Sequence, residues 1–164
     1  MRYARGMDSG FTHLDAEGHA RMVEVSDKGE SKRRAVARAT VRMSPGVLPR
    51  VLKGDLPKGA VLEVARIAAI SATKRTADLI PMCHPLRITG VEVSFDPVSD
   101  VALEVRVAVA AFDRTGVEME AMTAAAVAAL TIYDMVKAVD RGMRVEAVEL
   151  LLKEGGKSGL WQRP

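Results

Sequence analysis

Apolar and polar residues alternate from Ala35 to Met43. Ala35, Ala37, Ala39, Val41 and Met43 fall on one side, with Arg38, Thr40 and Arg42 among those on the other. Side chains two apart share a strand face, so this spacing predicts a half-buried strand. Ser44-Pro45 reads as a helix start, with Ser as cap and Pro in the first turn. It leads into a short helix carrying Val47, Leu48, Val51 and Leu52, which Gly54 and Pro57 break. A longer helix is predicted from about Gly59 to Leu79, with Val61, Val64, Ala65, Ala68 and Ala72 on its core face and Lys58 at its start. Alternation returns from Arg87 to Phe95, slipping near Gly90. Asp96 to Asp100 reads as a turn, and Val101 to Phe112 as the second arm of a hairpin. A helix follows over Gly116–Val139, then a strand over Met143–Leu152 and the Gly-rich Gly155-Gly156-Lys157-Ser158-Gly159. Upstream, Phe11 to Arg34 keeps no sustained period. Ala20 to Val25 is read as a short extended piece and Asp27 to Arg34 as a charge-rich loop.

The predicted order is strand, helix pair, strand, strand, helix, strand. That is the α+β, ferredoxin-like split βαβ pattern, an antiparallel sheet with helices on one face. One domain over residues 11–159 is expected, with a flexible N-terminus at 1–10 and a C-terminal tail at 160–164. Met1 and Met7 are both available as starts. From Ala124 to Ile132 the second long helix has Thr131 as its sole polar residue. A helix apolar all round has no solvent face, so a homo-oligomer is expected, with the helix between the sheet and another subunit. The alternative cover is the N-terminal segment of its own chain.

Composition narrows the class. The chain has 164 residues, 48% apolar and 27% charged, enough for one globular core. Aromatics are 4%, so Val, Ala, Leu, Ile and Met must build that core. A net charge of +3 fits anionic small molecules as well as nucleic acid and selects neither. One cysteine excludes an internal disulfide framework and fits a reducing compartment. No apolar run reaches the roughly 20 residues of a bilayer span and no signal-peptide pattern opens the chain. A cytoplasmic protein with no membrane partner is expected.

The candidate chemistry centres on Lys74-Arg75-Thr76-Ala77-Asp78-Leu79-Ile80-Pro81-Met82-Cys83-His84-Pro85. Pro81 and Pro85 bias Ile80 and His84 away from helix, so Met82-Cys83-His84 is expected extended between two stiff corners. Cys83-His84 lacks metal-ligand spacing, and neighbours on an extended chain point to opposite sides, which disfavours a Cys–His catalytic pair. His84 suits a phosphate or ring contact. Thr115-Gly116-Val117-Glu118 fits a capping box, which leaves Glu120 unexplained. Asp134 and Lys137 share a helix face. A surface ion pair accounts for them; so does a lysine held as proton donor, phosphate clamp or base. Glu120 lies about 40° round that helix from Asp134 at about 100° per residue, so one pocket along the helix is expected. Arg33, Lys58, Lys74, Arg75 and Lys153 add cations on separate elements, and only convergence makes them a polyphosphate site. For Lys32-Arg33-Arg34 the plain reading is a solvated turn, the functional one an anion-binding arm. Gly156-Lys157-Ser158 lacks the earlier glycine of a P-loop, since Leu151 stands there. There is no aromatic stacking pair of the RNA-binding kind, so a nucleic-acid module ranks last.

Taken together, several motifs resemble one family: Lys58-Gly59, Ala65-Arg66-Ile67-Ala68, Lys74-Arg75-Thr76, Asp78-Leu79-Ile80-Pro81, Cys83-His84-Pro85-Leu86, Thr115 to Ala121, and Leu130 to Met135. It is the MoaC family of molybdenum-cofactor biosynthesis, and the likeness runs from Phe11 to Gly159. Ala60 stands where the family often has Asp, and Met82 where Leu is also common. The resemblance implies a ferredoxin-like subunit in a homohexamer, a trimer of dimers, with pockets between subunits. It also implies conversion of (8S)-3′,8-cyclo-7,8-dihydroguanosine 5′-triphosphate, made by the radical-SAM partner MoaA, to cyclic pyranopterin monophosphate and pyrophosphate. Asp134 matches the family's active-site acid, Lys58 and Lys137 its proton-transfer lysines, and Arg33 a functional basic position. Met82-Cys83-His84 and Met119-Glu120 match its substrate-binding segments, and Glu118, Lys74 and Lys153 join them as expected contacts. No cofactor is required; magnesium on the triphosphate fits the chemistry, though no carboxylate cluster demands it. The competing reading is a non-catalytic oligomer that senses a purine nucleotide.

Overall fold

The computed structural model describes residues 14–15 and 17–164. The expected flexible stretch 1–10, the two candidate starts and the domain's first residue at 11 lie outside the described residues. The elements are β1 (Ser31–Arg42), α1 (Val47–Lys53), α2 (Val61–Thr73), α3 (Thr76–Leu79), β2 (Ile88–Ser99), β3 (Ala102–Asp113), α4 (Glu118–Val136), β4 (Arg144–Glu154) and β5 (Trp161–Gln162). The sheet order is β2-β3-β1-β4-β5 with every neighbouring pair antiparallel. This is the ferredoxin-like α+β architecture that the pattern predicts.

Alternation along β1 determines what it buries. Ala35, Ala37, Ala39 and Val41 are fully buried towards the helices, opposite Val109, Val107, Val105 and Leu103 of β3. Ala121, Ala124, Ala125, Ala128 and Ala129 of α4 pack on this surface with no exposed area. Alanine on both surfaces lets helix and sheet approach closely, which is how a core with few aromatics fills its space. The outer face is polar. Arg38 of β1 bridges Glu104 of β3 at 3.2 Å and Glu149 of β4 at 2.7 Å.

Local boundaries differ from the predicted ones for identifiable reasons. β1 begins at Ser31, so Lys32-Arg33-Arg34 are strand, not loop: their partners Phe112, Ala111 and Ala110 on β3 extend the ladder past the charges. Ala20 makes an isolated bridge to Leu14, and the chain from 21 to 25 forms no strand. Ser44 does not cap α1; Gly46 does, while the Ser44 amide donates to Asp140 at 2.7 Å. Nor does Thr115 cap α4: Val117 occupies that position with no side-chain cap. The long helix predicted to Leu79 ends at Thr73, and one further turn follows before Ile80 goes extended ahead of Pro81. Ala69, not Val64, belongs to the buried face of α2; Val64 is exposed. Pro97 stays within β2, where an edge strand tolerates its missing donor, and the hairpin turns at Asp100-Val101. Trp161 and Gln162, read as tail, pair with Lys153 and Leu152.

Part of the cover on α4 comes from within the chain. Its flank is taken chiefly by α2 of the same chain, which leaves a narrower outward strip that includes Leu130. At 19 residues α4 is long and apolar enough to cross a bilayer by length and composition, beyond what the sequence reading allowed. Its packing on β1, β3, β4 and α2 accounts for that apolarity as core.

Candidate active site

Three groups of side chains stand out, and the fold places two of them side by side. Between the loop after α3 and the start of α4 lies a cavity of about 360 Å³, lined by Met82, Cys83, His84 and Leu86 from one side and Glu118, Met119 and Glu120 from the other. Val23, Val25 and Lys28 close it from the N-terminal segment. The loop is less extended than predicted: the Cys83 amide donates to the Ile80 carbonyl at 3.0 Å and closes a turn through Pro81-Met82. Glu120 is buried at 4% exposure. Burial, opposed by a hydrogen bond from its own amide and reinforced by Glu118, pushes its carboxyl up to about 7. Near neutrality it therefore offers both a donor and an acceptor to the edge of a polar ring. Burial and the nearby Glu120 push the Cys83 thiol up, which makes it a poor nucleophile and fits a packing contact.

Next to it is a second cavity of about 480 Å³, sharing Lys28, Thr115, Gly116 and Glu118 with the first. Its further lining includes the cations Arg33, Arg114, Lys153 and Lys157, against the acids Asp27 and Glu154. Strand alternation explains Arg33. It shares a face with Ala35 and Ala37, but lies beyond the N-terminal start of α4, so its side chain meets the cavity where theirs meet the helix. Its Nε donates to the Asp113 carbonyl at 3.2 Å and an Nη to the Arg114 carbonyl at 3.0 Å. Lys153 enters from β4, opposite Ala35, and donates to Ser158 Oγ. The Glu118 carboxylate folds back over Gly116, where a Cβ would overlap it, and stands at the junction of the two cavities.

The third group sits at the far end of α4. Lys58 donates to the Asp134 carboxylate at 2.9 Å and to its carbonyl at 3.0 Å, while Lys137 lies 2.7 Å from the other carboxylate oxygen. The two lysines, Lys137 first, pull the Asp134 carboxyl down to about 2, so it is ionised at any working pH. The structure thus joins three residues that the sequence separates by up to 79 positions, 58 to 137. It does not join them to the cavities. Asp134 lies 14 positions beyond Glu120, roughly 21 Å along the helix at about 1.5 Å per residue. The single pocket expected along α4 is therefore two separate places in one chain.

Lys74 lies with neither. It is exposed at the end of α2, beside a shallow recess with Ile70, Ile88 and Thr89 that touches the first cavity through Leu86. Sequence reasoning missed Lys28 and Arg114 because nothing in a lone cation marks convergence. It noted Lys157 only within a failed P-loop pattern. Among the described residues no three His, Cys, Asp or Glu side chains gather as a metal ligand set.

The MoaC family model matches residues 22–156. The chain belongs to the MoaC family. Relatives named cyclic pyranopterin monophosphate synthase match it closely. The one from Chloroflexus aurantiacus is 56% identical over 156 residues, covering 94% of this chain and 95% of the relative. That of Thermomicrobium roseum is 56% identical over 154 residues, 93% of each chain. A third, from Pelotomaculum thermopropionicum, is 54% identical over 94% of this chain and 92% of its own.

Proposed function

We propose that this MoaC protein is a cyclic pyranopterin monophosphate synthase, converting (8S)-3′,8-cyclo-7,8-dihydroguanosine 5′-triphosphate to cyclic pyranopterin monophosphate and pyrophosphate. The observation that carries the reading is the adjoining pair of cavities, one fitted to a polar ring and the other to a polyphosphate. Met82, Cys83, His84, Met119 and Glu120 receive the purine-derived ring system. Arg33, Lys153 and their neighbours hold the triphosphate, whose charge must be spread when pyrophosphate departs and a sugar oxygen closes on the remaining phosphorus. Magnesium on the triphosphate is compatible with this arrangement. Rearranging the purine also needs a proton donor and an acceptor. Lys58 and Lys137, both oriented by Asp134, fill those roles.

Those lysines lie at the other end of α4, so the complete site takes its cavities from one chain and its lysine pair from another. A homohexamer built as a trimer of dimers meets this need, and the exposed strip around Leu130 is apolar enough to be covered in it. The substrate implies an upstream radical-SAM cyclase of the MoaA kind acting in the same compartment, the cytoplasm.

The test is product formation from purified cyclised nucleotide, following pyrophosphate and pterin together, in wild type, Asp134→Ala and Lys137→Ala with assembly checked. Turnover by the wild type that falls at least about 100-fold in intact variants supports the synthase, in the range typical for losing a general acid or base. Tight binding without turnover by any of them sinks it and leaves a nucleotide sensor.

A further inference from the structure

Two consecutive glycines lie against Lys32 and Arg33, and the proposed triphosphate site depends on the Arg33 guanidinium. Gly155 and Gly156 follow β4 with φ of +96° and +71°, a region that side chains disfavour. Backbone freedom is only half of their requirement. A Cβ on Gly155 would overlap the Lys32 carbonyl oxygen, and one on Gly156 would overlap Nη1 of Arg33. Gly159, in the same loop, has φ of +60° but nothing within 4 Å of where its Cβ would stand. Gly155 is thus shaped to the Lys32 backbone and Gly156 to the Arg33 guanidinium, not merely to the turn.

Arg33 is held on three sides. Its Nε and one Nη2 hydrogen are taken by the carbonyls of Asp113 and Arg114, and the flat backbone of Gly156 covers Nη1. A guanidinium has five N–H groups, so two are used to fix its plane and the others remain for an anion in the cavity. Lys157 and Ser158, the next residues of the turn, line that same cavity. We propose that the Gly155-Gly156 turn is a positioning device that seats the Arg33 guanidinium against the substrate's polyphosphate. The inference rests on reading this cavity as the triphosphate site. Gly156 also lines the cavity, and the role assigned to it here is to act through Arg33.

The experiment measures pyrophosphate affinity by calorimetry, and KM and kcat with cyclised nucleotide, for wild type, Gly156→Ala, Gly159→Ala and Arg33→Ala. Gly156→Ala is expected to bind pyrophosphate about tenfold or more weakly, the scale of one charge-assisted phosphate contact. KM should rise by a similar factor while kcat changes little. Gly159→Ala carries the backbone strain without the overlap and should stay near wild type. In the Arg33→Ala background, Gly156→Ala should cost no further affinity. Equal pyrophosphate affinity in Gly156→Ala and Gly159→Ala overturns the proposal, and so does a loss that persists in full without Arg33. Should Gly156→Ala alone fail to fold, the double variants decide. Arg33→Ala/Gly156→Ala melting no lower than Arg33→Ala/Gly159→Ala supports the contact with Arg33, and a lower melting temperature overturns it. If the wild type binds pyrophosphate but turns nothing over, the synthase reading fails while the affinities still judge the turn. No pyrophosphate binding by the wild type overturns both.

Discussion

Glu120 and Asp134 are carboxylates on one helix with opposite tuning. Asp134 is exposed between two lysines and stays ionised; Glu120 is buried beside another acid and holds its proton towards neutrality. The consequence for stability follows from linkage. Between the ordinary carboxyl value of 4.5 and about 7, the folded chain keeps a proton at Glu120 that the unfolded chain has released. The burden of this residue is therefore absent below the lower value, grows as pH rises, and is complete above the upper one. Replacing it by glutamine removes the titration. Glu120→Gln should melt close to wild type near pH 5 and higher than wild type near pH 8, by a few degrees on the scale of roughly 2–4 °C per kcal/mol for chains of this size. Melting curves at the two pH values check it; a pH-independent difference contradicts the burial argument.

At the scale of elements, α4 organises the domain. Its alanine face sits on β1 and its flank on α2, and Ala121, Ala124, Ala125, Ala128 and Ala129 have no exposed area. Ala128→Leu should therefore destabilise through overpacking, by about 1–3 kcal/mol, visible as a lower melting temperature. Thr123→Leu on the partly exposed side should change it little. The start of α4 and the start of β1 together line the cationic cavity. β1 outruns the helix layer by one turn of alternation, and Arg33 occupies the space that the helix leaves.

For the whole molecule, the distance along α4 bears on the proposed assembly. In the proposed shared site, the cavities of one chain meet the lysine pair of another, so a monomer is expected to be inactive. Arg33→Ala disables the cavity half and Lys137→Ala the lysine half. Co-refolded in equal amounts, subunits carrying one change each should recover about a quarter of wild-type activity per subunit, because statistical assembly pairs an intact cavity with an intact lysine group at that frequency. The same two variants mixed without dissociation should stay inactive. Activity in a size-verified monomer contradicts the shared site.

The amino-acid sequence alone determined the order and type of the elements. Alternation in β1 and β3 and the apolar stretch in α4 are strong, local and periodic, so the ferredoxin-like topology was legible, as were the motifs of the family. It also made Asp134 and Lys137 neighbours, because three positions on a helix share a face. Caps, helix ends and the β1 boundary were not legible, since longer-range pairing overrode local preference: the Ser44 amide turned to Asp140, and Lys32-Arg33-Arg34 joined the ladder with β3. Convergence belonged wholly to the tertiary structure. Lys58 reaches Asp134 across 76 positions, and Lys28, Arg33, Arg114, Lys153 and Lys157 meet around one cavity. No local pattern encodes either meeting, because each depends on where the sheet brings separate strands and turns together.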